Sequence, residues 1–347
     1  MGRARAALRR RRGSEGLILA ATTFLRPGAD EGLVGPLPAI ARRPRLAALL
    51  GAMCIAFSGI FYRWADVSPE TATVFRCLYG LPILALVAWL EQRRHGPLPA
   101  STVRLAAIAG VFFAGDLTFW HHAVDAVGAG LATVLGNLQV IVVGIVAWLF
   151  LGERPTRQAL LAIPIVLVGV VLISGLVGAG AYGADPRLGV VLGVITAICY
   201  AGYLIVIRRG GRDGRRAAGP VAISTASTAI VAALVGIALN DLNPIPSWPN
   251  HGWLALLGVT SQSAGYLLIS ISLPRLPSLL VSILLLSQPV VTVILARFLL
   301  NETPSPIQVL GAVLVLGGIA LATVPAARVR GAVRSAVRRP VDQPVDG

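Results

Sequence analysis

Lysine is absent from the 347 residues, so all 30 basic positions are arginine, and acidic residues number only 15. Charged residues make up 13% of the chain, about half the share a soluble domain uses for its hydrated shell. That scarcity excludes an ordinary soluble fold. The three cysteines, Cys54, Cys77 and Cys199, fall inside apolar runs without CxxC spacing. They supply neither a disulfide frame nor a metal site and read as small core residues. No Ser/His/Asp set, HExxH, Walker loop or pair of carboxylates at usable spacing is present. An ATP-driven pump would lack its nucleotide machinery, and neither an enzyme nor a bound cofactor is expected. Gly178, Gly180 and Gly183 match GxGxxG, but no strand precedes them, so a dinucleotide site is not implied.

Apolar residues are abundant instead, at 56% with a mean hydropathy of +0.78, and the bilayer is the solvent that accommodates them. About 20 apolar residues cross the hydrocarbon layer as a helix. The pattern predicts ten spans near 46–63, 70–91, 104–124, 130–151, 157–177, 187–207, 218–240, 252–272, 279–300 and 305–325. Gly189 and Gly193 within the sixth form GxxxG, read as close packing inside the monomer. The short apolar stretch Leu17–Leu25 cannot span. Residues 1–43 read as a disordered Arg-rich cytoplasmic leader and 327–347 as a disordered basic cytoplasmic tail.

The net charge of +15 would suggest nucleic acid in a soluble chain, but its distribution argues against that partner. With both termini cytoplasmic, 26 arginines fall on the inner side, only Arg63 and Arg187 fall outside, and Arg76 and Arg297 sit within spans. This asymmetry predicts a multi-pass inner-membrane protein with an external loop at 240–252. Expected partners are a small-molecule solute and membrane lipid, with the chain as a monomer or homodimer.

Shifting the chain by 149 residues aligns Leu131–Ser174 with Leu280–Thr323 without a gap, with 14 of 44 positions identical. The rare residues carry the match: Gln139 with Gln288, Glu153 with Glu302, Pro155 with Pro304, and Gly169 with Gly318. A unit of five spans is odd, so its second copy enters the membrane from the opposite side. The expected fold is an all-α membrane protein of ten transmembrane helices in two inverted five-helix repeats, residues 44–178 and 185–326. Such symmetry underlies alternating access.

The segment LFLGERPTRQALLAIPIVLVGVVLI and its echo FLLNETPSPIQVLGAVLVLGGIALA resemble the paired EamA-type units of the drug/metabolite transporter superfamily. The resemblance covers about residues 46–325. It implies a ten-helix solute carrier with cytoplasmic termini, commonly a metabolite exporter, working without a cofactor. One departure is Val140, where repeat two has Pro289.

Several polar residues within spans are candidates for a substrate site. Gln139 and Gln288 each lie roughly 13 Å deep by helical rise, serving either as solute ligands or as glue between the halves. Arg76 and Asp116 lie at similar depths and are expected to form an ion pair, either functional or structural. Trp120, Tyr200 and Tyr266, with Tyr203, offer aromatic cavity walls. Asp116, His121 and His122 are the proton-coupling candidates, although adjacent histidines point about 100° apart. An intramembrane enzyme or lipid-handling protein using Asp116 and His121/His122 is the competing reading.

Overall fold

The structure is a computed structural model that describes residues 42–151, 157–177, 180–210, 216–272, 275–276 and 284–323. Glu153, Pro155, nearly all of the leader and the basic tail lie outside the described residues. Every regular element among the described residues is helical. In lipid, helices satisfy every interior backbone N–H and C=O within one segment.

The first family of helices comprises α1 (Pro44–Ala56), α2 (Ser58–Ala65), α3 (Pro69–His95), α4 (Ala100–Val127), α5 (Ala129–Gly136), α6 (Gln139–Leu151) and α7 (Arg157–Ile173). The second comprises α8 (Pro186–Gly210), α9 (Ala218–Ala238), α10 (Trp248–Leu256), a π-helical segment Leu257–Gly265, α11 (Tyr266–Ser272), α12 (Ser287–Leu299) and α13 (Pro306–Thr323). Seven stretches are long and apolar enough to cross a membrane, and three further apolar helices are shorter: Leu160–Ile173, Ser287–Leu299 and Pro306–Leu321. Large apolar side chains point outward, with Leu149 65%, Leu234 63% and Phe298 77% exposed. Such a surface fits acyl chains and not water.

Proline starts several helices, at Pro44, Pro69 and Pro186, where its missing N–H costs nothing. Ser68 caps α3 by accepting from the Thr71 amide at 3.3 Å. Three predicted spans are interrupted in their middles: the first at Phe57, the fourth at Asn137–Leu138 and the eighth by the π segment. The turn at Leu286 precedes α12, and under the 149-residue shift Leu286 is the equivalent of Asn137. Equivalent helices of the two units are therefore broken at equivalent residues.

Packing between the units is reciprocal. Equivalent helices pack on each other, α3 on α9, α5 on α12 and α7 on α13. Helix α4 packs on α8 while α11 packs on α1, and α3 packs on the π segment while α9 packs on α4. Each of these cross-unit contacts has its counterpart in the other unit. Gly169 and Gly311 show how tight the α7–α13 crossing is: a Cβ on either would lie 2.6–2.7 Å from the other's carbonyl oxygen. The GxxxG of α8 also packs within the monomer, since Cβ atoms on Gly189 and Gly193 would meet Val127 at 2.5 Å and Leu135 at 2.6 Å.

Carboxylates pin helix ends across the units. Glu91, at the end of α3, accepts from the backbone N–H groups of Ala217, Ala218 and Gly219, which open α9. Glu302, after α12, accepts from Ala129 N–H at 2.6 Å and Gly130 N–H at 3.2 Å, the first groups of α5. The first N–H groups of a helix have no intrahelical partner and carry partial positive charge, so an anion there is doubly favoured.

Candidate functional site

A central cavity of about 70 Å³ lies between helices of both units. Arg76 from α3, Asp116 and Trp120 from α4, Tyr200 from α8, Tyr266 from α11 and Gln288 from α12 all line it. Six of the residues singled out in the sequence thus meet in one place. Helical rise puts Arg76 roughly 10 Å and Asp116 roughly 16 Å below the end of the molecule that carries Glu302, near mid-depth.

Gln139 does not join them. It is half-buried and outside the lining, whereas Asn137 faces the cavity. The cause is the interruption between α5 and α6, which resets the helical phase that uninterrupted spacing would give Gln139. Asn137 Nδ2 donates to Thr133 O at 2.8 Å, and such side-chain bonds compete with the helical ladder.

The expected Arg76–Asp116 ion pair is not formed either. Arg76 is 1% exposed, and its guanidinium donates from Nε to Gln262 Oε1 and from Nη1 to Ser58 Oγ, each at 3.0 Å. Gln262 in turn donates to Thr225 Oγ1 at 2.9 Å. These neutral acceptors hold the cation in place, so Arg76 reaches Asp116 only through space. The carboxylate of Asp116 makes no hydrogen bond among the described residues and opens onto the cavity. Spacing alone missed Gln262 and Ser58. The polar run Thr260–Ser263 inside an apolar span was the available signal for Gln262, and it coincides with the π segment, a feature found often at functional sites.

The two histidines lie outside the cavity lining, beyond Trp120. The single hydroxyl proton of Thr73 goes to Pro69 O at 2.8 Å, so the 2.9 Å contact with His121 Nδ1 makes that nitrogen the donor. His121 Nε2 is then a buried acceptor with no partner, and the ring lies tilted by 41° against Tyr62 at 4.4 Å. His122 turns away to Glu70, with Nε2 3.1 Å from Oε1. Tyr62 donates to Asp125 at 2.6 Å, and Arg63 pairs with the same carboxylate at 3.3 Å. The constellation needed for catalysis by Asp116 with His121 and His122 is therefore not assembled.

Clusters of aromatic rings pack near the cavity. Phe113 stacks on Tyr203 at 4.5 Å and meets Tyr266 edge-on at 5.1 Å. Towards the other face, Trp253 packs on Trp64 at 4.7 Å and on Phe61 at 6.2 Å. The enclosed volume is well below the roughly 300–1,000 Å³ of typical organic-ligand pockets, so the helices are drawn together around the site.

The model of the EamA-like transporter family matches residues 43–175 and again 187–324. The chain belongs to the EamA-like transporter family. The two matched stretches are the two units that enclose the cavity. A protein described as an uncharacterized transporter from Synechocystis is 26% identical over 287 residues, covering 76% of this chain and 83% of that protein. An uncharacterized transporter from Bacillus subtilis is 24% identical over 269 residues, covering 75% of this chain and 88% of its own length. A crystal structure with a TM-score of 0.57 and 19% identity covers 81% of this chain and 98% of that one, and shows the shared fold. The protein is a multi-pass membrane transporter.

Proposed function

We propose that the chain is a secondary carrier that exports a small organic metabolite by alternating access around the central cavity. The observation that carries this reading is the presence of Arg76 and Asp116, not paired with each other, in one aromatic-walled cavity between the units. Two opposite charges held apart leave room for a solute that presents a cationic or donor group to Asp116 and an anionic or acceptor group to Arg76. Asn137 and Gln288 add amide donors and acceptors, and Trp120, Tyr200 and Tyr266 supply apolar faces. The reciprocal packing supports ten helices in two inverted five-helix units, residues 44–178 and 185–326, with cytoplasmic termini and the loop at 240–252 external.

Access requires the halves to part. The interruptions at Phe57 and Asn137–Leu138, the π segment and the turn at Leu286 flank the cavity and serve as hinges, because broken helices bend where backbone bonds are missing. Proton coupling passes through Asp116 and His121, whose unpartnered Nε2 can take a proton, with His122 nearer the external end.

The test compares untargeted metabolite profiles of medium and cytosol from cells expressing the wild-type chain, Asp116→Asn or Arg76→Gln. At least one metabolite is expected to move to the medium with the wild type and stay in the cytosol with both variants. Identical profiles for all three would defeat the reading. Once the solute is known, proteoliposomes with imposed pH gradients separate coupling from binding. Asp116→Asn, whose amide oxygen still accepts from a solute donor, is expected to keep a weakened solute exchange and lose the response to the gradient.

A further inference from the structure

A second recess lies apart from the central cavity. A groove of about 280 Å³ runs along the outside of the helical body between α3 and α9, at the end carrying Glu91. Its floor is made of small residues, Ala85, Ala88, Ala222 and Ala226, and Trp89 and Ile223 flank it. Trp89 is 45% exposed. From Ala85 to Gly96 the groove follows 11 residues of α3, roughly 16 Å by helical rise, about the depth of one leaflet's hydrocarbon.

The mouth of the groove is basic. The Arg93 guanidinium lies 3.9 Å over the Trp89 ring, Arg94 is next in sequence, and Arg216 lines the groove. Arg216 donates to His95 O at 2.6 Å and Pro97 O at 3.0 Å, which fixes its charge at the rim. Glu91 is the acid in the lining, but it is 1% exposed and committed to the N–H groups of α9. It therefore offers little repulsion to an anion at the mouth.

We infer that this groove is a binding site for one anionic phospholipid, with an acyl chain along the alanine floor and the phosphate at Arg93 and Arg216. The apolar length matches a single leaflet, and the charge sits where the chain ends. Basic pockets between membrane helices recognise anionic headgroups through the same combination. The site is independent of the central cavity and does not rest on the transport reading.

The experiment reconstitutes the full-length protein in vesicles of equal phosphatidylglycerol and phosphatidylcholine, re-extracts it in mild detergent, and measures retained lipid by mass spectrometry. Wild type is expected to retain phosphatidylglycerol about five- to thirtyfold over phosphatidylcholine, as one or two arginine contacts of about 1 kcal/mol each would give. Ala85→Phe fills the groove from an exposed position, and Gln92→Glu places a negative charge beside the mouth; each is expected to bring the ratio near one. Arg187→Gln, at the opposite end, keeps the wild-type ratio. Thermal unfolding of the same samples checks that the variants are folded. Equal retention of both lipids by wild type, or a preference unchanged in both groove variants, overturns the site. So does cross-linking through Trp89→Cys that reveals a second copy of the chain seated there.

Discussion

The carboxylate of Glu302 accepts hydrogen bonds from the first two N–H groups of a helix 172 and 173 residues earlier in the chain, joining the two EamA units at one end of the cavity. Burial pushes this carboxyl above the ordinary range, while the two N–H groups hold it down. Glu302→Ala leaves two buried donors unsatisfied and is expected to lower stability by about 1–3 kcal/mol, read as a lower Tm in detergent. Gly128→Ala should act on the same contact. Its φ of +88° disfavours a side chain, and the added Cβ would lie 2.8 Å from Glu302 Oε2. Unchanged melting in both variants would remove the cap from the account.

Gln262 is expected to matter through Arg76. Gln262→Leu keeps the volume but removes the acceptor at Nε, leaving a buried cation to seek another partner. The nearest opposite charge within the cavity is Asp116, so the variant should close the gap between them and weaken solute binding. Apparent affinity in proteoliposome flux should fall about tenfold or more, since hydrogen bonds to charged groups contribute roughly 1.5–3 kcal/mol. Flux indistinguishable from wild type would show that Gln262 does not position the guanidinium.

The interruption of the fourth span yields opposite expectations for two neighbouring amides. Asn137→Ala should reduce flux and Gln139→Ala should leave it near wild type, because only Asn137 lines the cavity. The reverse ranking would restore an unbroken helix through this segment.

Asp241 stands just beyond α9 beside Glu70, whose Oε1 meets His122. The adjoining Glu70 carboxyl raises Asp241 above the ordinary carboxylate range. A raised acid favours its protonated form in the folded contact. The contact therefore contributes where Asp241 holds its proton while Glu70 is ionised, and is lost as pH rises through the elevated Asp241 value. Hydrogen exchange of residues 240–246, corrected for intrinsic rates, should show protection falling over that rise. Asp241→Asn should flatten the profile; a flat wild-type profile would dismiss the shared proton.

A small reporter inserted after Trp248 is expected to label from outside the cell. Labelling only after permeabilisation would invert the topology and, with it, the assignment of the Glu302 end as external.

The sequence alone established that lipid is the solvent, that the apolar runs are helical, and that the chain is duplicated. Those properties are additive along a chain: hydropathy sums over a window, arginines count by loop, and a repeat is visible by shifting the text. Arg76, Asp116, Trp120, Tyr200, Tyr266 and Gln288 were visible for the same reason, since polar and aromatic groups stand out against an apolar span. Tertiary structure decided what local spacing could not. The break after Gly136 moved the cavity role from Gln139 to Asn137, and the π segment brought Gln262 to Arg76 and kept that cation from Asp116. Helical phase is set by backbone bonds that packing can interrupt, and the partner of a buried charge is whichever acceptor the fold brings nearest.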